Sequence, residues 1–297
     1  MGIMHSEYRD RINHWIRTLK EDFYTPAGTL DWEVFKTMEQ LSFEEAGERT
    51  YERVDPGYTW GDTYEYAWFR TKLTLPEETA GKRIVLNLCS GGESTVFVNG
   101  SAFGTYRADW VKQPHHFLVD NTLTREAKPG DVFEICMETY AGHFYAEAQD
   151  SGCSTGPVLP GLYRDELAEG AKRTLGEGTY GIWDEDAYQL FMDVETLSSL
   201  LKTLDEDSLR AARVAEALEQ FTLLVDFEQE KAARSRDYRK ARAMLEPVLS
   251  AVNGSTMPVF SAIGNAHLDL AWLWPMAETY RKTARTFAAQ LRLMEEY

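Results

Sequence analysis

Between Tyr66 and Glu138 the chain sets out four short β-type runs divided by turn chemistry, and this spacing constrains its fold more than any other feature. The first, Tyr66-Ala67-Trp68-Phe69-Arg70-Thr71-Lys72-Leu73-Thr74-Leu75, alternates, is rich in aromatics and closes at Pro76. Arg83-Ile84-Val85-Leu86-Asn87-Leu88-Cys89 follows, then Ser94-Thr95-Val96-Phe97-Val98 running into Asn99-Gly100. Asn-Gly favours a two-residue hairpin because both residues tolerate positive φ. The last run, Val132-Phe133-Glu134-Ile135-Cys136-Met137-Glu138, starts after the turn Lys128-Pro129-Gly130-Asp131. Short strands at this spacing predict an all-β sandwich.

The flanks read as helix. Tyr8, Ile12, Trp15, Ile16, Leu19 and Phe23 recur at three- and four-residue steps, which predicts an amphipathic helix ending near Pro26 and packed on the protein. Residues 141–180 read as a long loop, with one further strand near Thr179 to Trp183. From Asp186 three helices are expected: one to about Leu204, a second after Asp205-Glu206-Asp207-Ser208, and a third from about Asp237 to Ser250. In the second, Leu209, Ala212, Ala217, Phe221, Leu224 and Val225 form one stripe; in the third, Tyr238, Ala241, Leu245, Val248 and Leu249 do so. A last helix runs from Ala277, with Ala284, Phe287, Ala288 and Leu291 apolar. The expected organisation is an N-terminal helix over 1–26, a β-sandwich domain over 27–184, a helical connector over 185–254 and the start of a further domain over 255–297.

The chain has 297 residues, enough for two domains, and 43% hydrophobic against 27% charged residues marks an ordinary soluble protein. Its net charge of −17 disfavours nucleic acid and anionic membranes as partners, since phosphate binding needs a basic face. No stretch is apolar enough to span a bilayer, and the charged N-terminus does not read as a signal peptide. Cys89, Cys136 and Cys153 cannot all pair, and none lies in a CxxC spacing. Cys89 and Cys136 fall in strand-like runs where a buried free thiol is expected, and a reducing cytoplasm fits.

The chemistry concentrates near residue 267. The apolar run Val259-Phe260-Ser261-Ala262-Ile263 between Pro258 and Gly264 reads as a buried strand, and His267 and Asp269 follow it. In extended chain, residues i and i+2 project together, so an imidazole and a carboxylate can address one ion; in a helix they would stand about 200° apart. This pair is half of a plausible zinc shell, and Trp272 and Trp274 beside it suit a sugar platform. The residues by themselves leave a metal or catalytic role and a surface coincidence both open. His115-His116 does not make a second pair, because adjacent strand residues face opposite sides.

Two stretches resemble known families. Trp68-Phe69-Arg70, Leu75-Pro76, Gly81-Lys82-Arg83, Val96-Phe97-Val98-Asn99-Gly100 and Gly104 resemble the jelly-roll modules at the front of many glycoside hydrolases, which brace a catalytic domain or bind sugar; Tyr106 and Trp110 are its candidate sugar aromatics. Ile263 to Pro275, continuing through Glu278-Thr279-Tyr280-Arg281-Lys282-Thr283-Ala284-Arg285-Thr286-Phe287, is similar to the opening strand of the α-mannosidases of glycoside hydrolase family 38, bacterial and vacuolar-type branch. The family's His-x-Asp-x-x-Trp stands here as His267, Asp269 and Trp272. The resemblance implies an α+β multidomain chain ending in the first strand–helix unit of an α/β barrel catalytic domain. It also implies a zinc-dependent, retaining hydrolysis of terminal α-mannosides, with His267 and Asp269 as zinc ligands and Trp272 against the sugar. The nucleophile, the acid/base carboxylate and the remaining ligands are expected beyond Tyr297, so these 297 residues are expected to be inactive alone. α-Mannoside oligosaccharides are the implied partners, and self-association stays open. The alternative is a carbohydrate-binding or assembly module without chemistry of its own.

Overall fold

A computed structural model describes residues 6–62, 64–107, 121–142, 172–252, 254, 258–271 and 274–297. In chain order its elements are α1 (Ser6–Asp22), β1 (Tyr24–Thr29), β2 (Trp32–Thr37), α2 (Phe43–Gly47), β3 (Glu52–Val54), β4 (Thr59–Trp60) and β5 (Tyr66–Thr74). Next come β6 (Ile84–Asn87), β7 (Glu93–Val98), β8 (Ser101–Arg107), β9 (Thr122–Thr124), β10 (Val132–Tyr140), β11 (Arg173–Thr174) and β12 (Thr179–Trp183). The helices α3 (Glu185–Leu201), α4 (Leu209–Leu224), α5 (Lys231–Leu249) and α6 (Met276–Glu296) complete the series. They form two compact units, Met1–Thr25 with Trp183–Ala262, and Pro26–Ile182 with Ile263–Tyr297.

The first unit is helical. Asp184 caps α3 by accepting from the Ala187 amide at 3.0 Å, and Ser208 caps α4 by accepting from Ala211 at 3.1 Å. These caps satisfy amides that the first turn leaves orphaned, so the acidic run at 184–186 is a helix start. The helix α1 packs on α3 and α4, and α5 packs on the same pair. Ile12, Leu19, Phe191, Val194, Leu218, Phe221 and Leu245 fill the space between them. The helix α5 begins six residues before the expected Asp237, because Lys231-Ala232-Ala233-Arg234 has helix propensity but no large apolar residue to betray a periodicity. One polar knot is buried here. Asp22 accepts from Tyr238 Oη, and from Arg234 Nη2 at 2.7 Å.

The second unit is the β-sandwich. Among the described residues one sheet runs β3-β2-β5-β10-β7-β8 and the other β1-β12-β6-β9, with β4 and β11 paired apart. Alternation along β5 assigns the faces: Ala67, Phe69 and Leu73 enter the core between the sheets, beside Trp32, Ile84, Leu86, Val96, Ile135 and Met137. Each large side chain so buried contributes roughly 1.5–3 kcal/mol. The hairpin at Asn99-Gly100 forms as the sequence predicts, with φ of 50° and 79° joining β7 to β8. Asn99 Oδ1 also accepts from the Glu134 amide at 2.9 Å, which ties the turn to β10.

The alternate residues of the longer sheet face outward in three zones. Trp68, Phe35, Phe97 and Cys136 make a small apolar patch with Leu41 and Ala46 of the α2 region. Tyr66, Glu93, Thr95, Glu138 and Tyr140 lie to one side of it, and Glu33, Arg70, Lys72 and Glu134 to the other. Cys89 and Cys136 are free and only partly buried, and burial pushes the Cys136 thiol up to about 12, so it stays neutral. Tyr106 packs against the core. Trp110, Cys153, His115-His116 and most of the expected 141–180 loop lie outside the described residues.

Two substitutions test this packing. Replacing Asp22 with Ala leaves the Tyr238 hydroxyl without its acceptor and Arg234 without its carboxylate, with only the Phe227 and Gln229 carbonyls left to it, and should cost about 3 kcal/mol in urea unfolding. Gly91 has a φ of 81° and sits where a Cβ would meet the Thr174 backbone at 2.5 Å, so Gly91→Ala should destabilise by about 2 kcal/mol or more.

Candidate functional site

The segment that carries His267 and Asp269 departs from its expected form. Residues 258–269 form no strand, and Val259, Phe260 and Ile263 are 92%, 90% and 91% exposed. The reason is physical: a buried strand exists only where neighbours complete its ladder and cover its faces, and among the described residues no strand pairs with this segment. The two side chains meet nonetheless, His267 Nε2 lying 3.1 Å from Asp269 Oδ1, both in contact with solvent. Imidazole nitrogen with carboxylate oxygen suits zinc better than magnesium or calcium, yet it supplies two donors of a four-coordinate shell. Among the described residues no group of three or more His, Cys, Asp or Glu is arranged to hold a metal. Trp272 lies outside the described residues. Trp274 is engaged within the protein: the Lys282 ammonium lies over its ring at 4.3 Å, and its Nε1 donates to Thr279 Oγ1 at 3.1 Å.

The segment's C-terminal end is anchored through α6. Thr279 Oγ1 donates to the Leu270 carbonyl, and Pro275 begins the helix. The helix in turn is fixed to the sandwich by its polar stripe. Glu278, fully buried, accepts from Tyr66 Oη and from Arg285 Nη2. Glu93 on β7 receives Lys282 Nζ at 2.5 Å and Arg285 Nε at 3.1 Å. Arg281 lies 3.2 Å from Glu138 on β10 and donates to the Leu41 carbonyl at 2.6 Å. Gln40 donates to Tyr66 Oη at 2.7 Å and to the Ala277 carbonyl at 3.0 Å. About three turns beyond Arg285, Glu296 pairs with Arg83 at 3.1 Å and Arg125 at 2.5 Å.

The helix therefore turns its polar side inward. Ala288 is buried, but Phe287 and Leu291 are 63% and 61% exposed, and Tyr280 and Met294 share that outer face. Sequence reading missed this arrangement. Its signal was present: Glu278, Arg281, Lys282, Arg285, Arg292 and Glu296 follow helical spacing, and Glu93 and Glu138 interrupt apolar strands on one face.

Burial dominates the electrostatics of this interface. Glu138 is pushed from its ordinary 4.5 up to about 7 by burial, against the pull of Arg281 and Arg285. Burial also lowers Lys282 and raises the hydroxyls of Tyr66 and Tyr140. The folded chain thus holds a proton on Glu138 more tightly than the unfolded chain. That contribution to stability is fully present below about pH 4.5 and is lost as pH rises through about 7. Unfolding free energy followed from pH 5 to pH 8 should fall in the wild type relative to Glu138→Gln, by an amount on the order of 3 kcal/mol. Parallel profiles would show that Glu138 is charged throughout.

Two family descriptions match the chain in order: "Alpha-mannosidase, jelly roll domain" over residues 28–156, and "Glycosyl hydrolases family 38 N-terminal domain" over 257–297. Among curated proteins, alpha-mannosidase 2C1 of Mus musculus is 25% identical over 265 residues, covering 88% of this chain and 23% of that protein. Alpha-mannosidase 2C1 of Homo sapiens is 25% identical over 303 residues, covering 96% and 27%. Alpha-mannosidase G of Dictyostelium discoideum is 23% identical over 263 residues, covering 88% and 22%. The chain spans about a quarter of the length of these relatives. With a jelly roll built as the first match describes, and the second match falling on the segment of His267, Asp269 and α6, the chain is similar to the N-terminal part of the glycoside hydrolase family 38 α-mannosidases.

Proposed function

We propose that the chain is the N-terminal portion of a cytoplasmic, zinc-dependent, retaining α-mannosidase, and that it supplies two of the zinc ligands, His267 and Asp269. The observation that carries this reading is their 3.1 Å approach, exposed to solvent, inside the stretch matching the family 38 domain. Zinc, when bound, would act as a Lewis acid toward sugar hydroxyls and favour a distorted ring. His267 would offer a neutral ring nitrogen and Asp269 a carboxylate, each within reach of one ion. Trp272, three residues on, would pack against the sugar ring. The role of α6 is positional: its ion pairs with Glu93 and Glu138 hold the start of the catalytic domain on the sandwich. Residues 255–297 would form the first strand–helix unit of an α/β barrel, with 259–263 taking strand form when neighbouring strands cover it.

On this reading the 297-residue chain binds Zn²⁺ weakly and does not hydrolyse mannosides, because two donors neither close a shell nor supply a nucleophile. Calorimetric titration with Zn²⁺ should give weak binding that disappears in His267→Ala and in Asp269→Ala. Equal binding by both variants would sink the ligand assignment. Zinc-dependent release of 4-nitrophenol from its α-mannoside by this chain would overturn the proposed inactivity. No helix among the described residues is long and apolar enough to cross a membrane.

A further inference from the structure

We infer that the outer face of the sandwich carries a second, non-catalytic binding groove for a neutral oligosaccharide, centred on Glu33, Tyr51 and Arg70. The groove has a volume of about 610 Å³ and lies at the end of the longer sheet away from Glu93 and Tyr140. That size is within the range of small-ligand sites.

Its chemistry is legible in the strand register. Arg53, Glu33, Arg70 and Cys136 stand side by side across β3, β2, β5 and β10, and Lys72 lies opposite Glu134. Arg70 Nε donates to Glu33 Oε2 at 2.7 Å, and the guanidinium lies over the Tyr51 ring at 3.9 Å. Both contacts pin Arg70 in place. Its Nη groups and Glu33 Oε1 make no further hydrogen bond among the described residues, and both side chains remain nearly half exposed. A fixed donor beside a fixed acceptor is what a vicinal diol requires: one hydroxyl accepts from the guanidinium while its neighbour donates to the carboxylate.

Charge selects against ionic ligands. The groove sets Arg53, Arg70 and Lys72 against Asp31, Glu33 and Glu134, so it is balanced within a chain whose net charge is −17. Burial raises the Tyr51 hydroxyl and takes the Cys136 thiol up to about 12, so both stay neutral at pH 7. Phe43, Ala46 and the Tyr51 edge make an apolar wall for the C–H face of a sugar ring. A neutral ligand with many hydroxyls and an apolar face satisfies all of these groups at once.

The inference does not rest on the zinc reading, and the test keeps the two apart. The Trp32 indole points into the core beneath the sheet, so binding would be read by isothermal titration calorimetry. The whole chain would be titrated with α1,2-mannotriose, cellotriose and trigalacturonate, alongside Arg70→Ala, Lys72→Ala with Glu134→Ala, and His267→Ala. Exposed cross-strand pairs contribute little to stability, so these variants should keep the wild-type melting temperature. The expected result is saturable binding of at least one neutral trisaccharide, weakened about tenfold or more by Arg70→Ala or by the double variant, and unchanged by His267→Ala. Absence of saturation with both neutral sugars overturns the inference. So does equal affinity in Arg70→Ala and the double variant, tighter binding of trigalacturonate, or loss of binding in His267→Ala alone.

Discussion

The buried charge cluster between α6 and the sandwich is the interaction on which the second unit depends. Arg285 is 3% exposed and reaches both Glu278 on its own helix and Glu93 on β7, so one guanidinium joins helix to sheet. Removing such charges from water is costly, and the cost is offset only where each has a partner of opposite sign. Here Lys282 and Arg285 face Glu278 and Glu93, and Arg281 lies beside Glu138, whose carboxyl is pushed up to about 7 by burial. An apolar interface of this area would tolerate sliding by a helical turn. A charge cluster does not, because a shift leaves buried ions unpaired.

That registry is what links the jelly roll to the proposed site. The segment of His267 and Asp269 lacks strand partners and buries little, yet its far end is held through Leu270 and Trp274 by the first two turns of α6. Position is therefore transmitted from β5, β7 and β10 through the polar stripe of the helix to the loop before it. The outer face of the longer sheet does three jobs along its length: ionic anchoring of α6, apolar packing of α2, and a charge-balanced groove. Alternation alone delivers this division, since Tyr66, Trp68, Arg70 and Lys72 leave the same side of β5 at two-residue steps.

The glycosidase kinship and the groove describe different capacities of one sandwich. Kinship rests on two family matches and on relatives about four times longer than this chain. The groove rests on local geometry and requires nothing from the catalytic segment.

The sequence by itself determined the elements whose signals are local. Asn99-Gly100 fixed a hairpin because backbone sterics admit positive φ there, and the alternation from Tyr66 to Thr74 fixed a strand because one face had to be apolar. The stretch Asp205-Glu206-Asp207-Ser208 marked a helix start through its cap chemistry. The motif around His267 carried the likeness to family 38 by residue identity. Tertiary structure decided what depended on distant partners. Val259 to Ile263 reads as a buried strand, but a strand needs neighbours for its amides and its apolar faces, and local sequence cannot supply them. The helix α6 looks amphipathic from either side, and only the carboxylates waiting at Glu93 and Glu138 chose which side turned inward. The start of α5 stayed hidden because alanine and arginine carry propensity without periodicity. Local rules set which residues can form an element; burial and charge pairing across the fold set what that element faces.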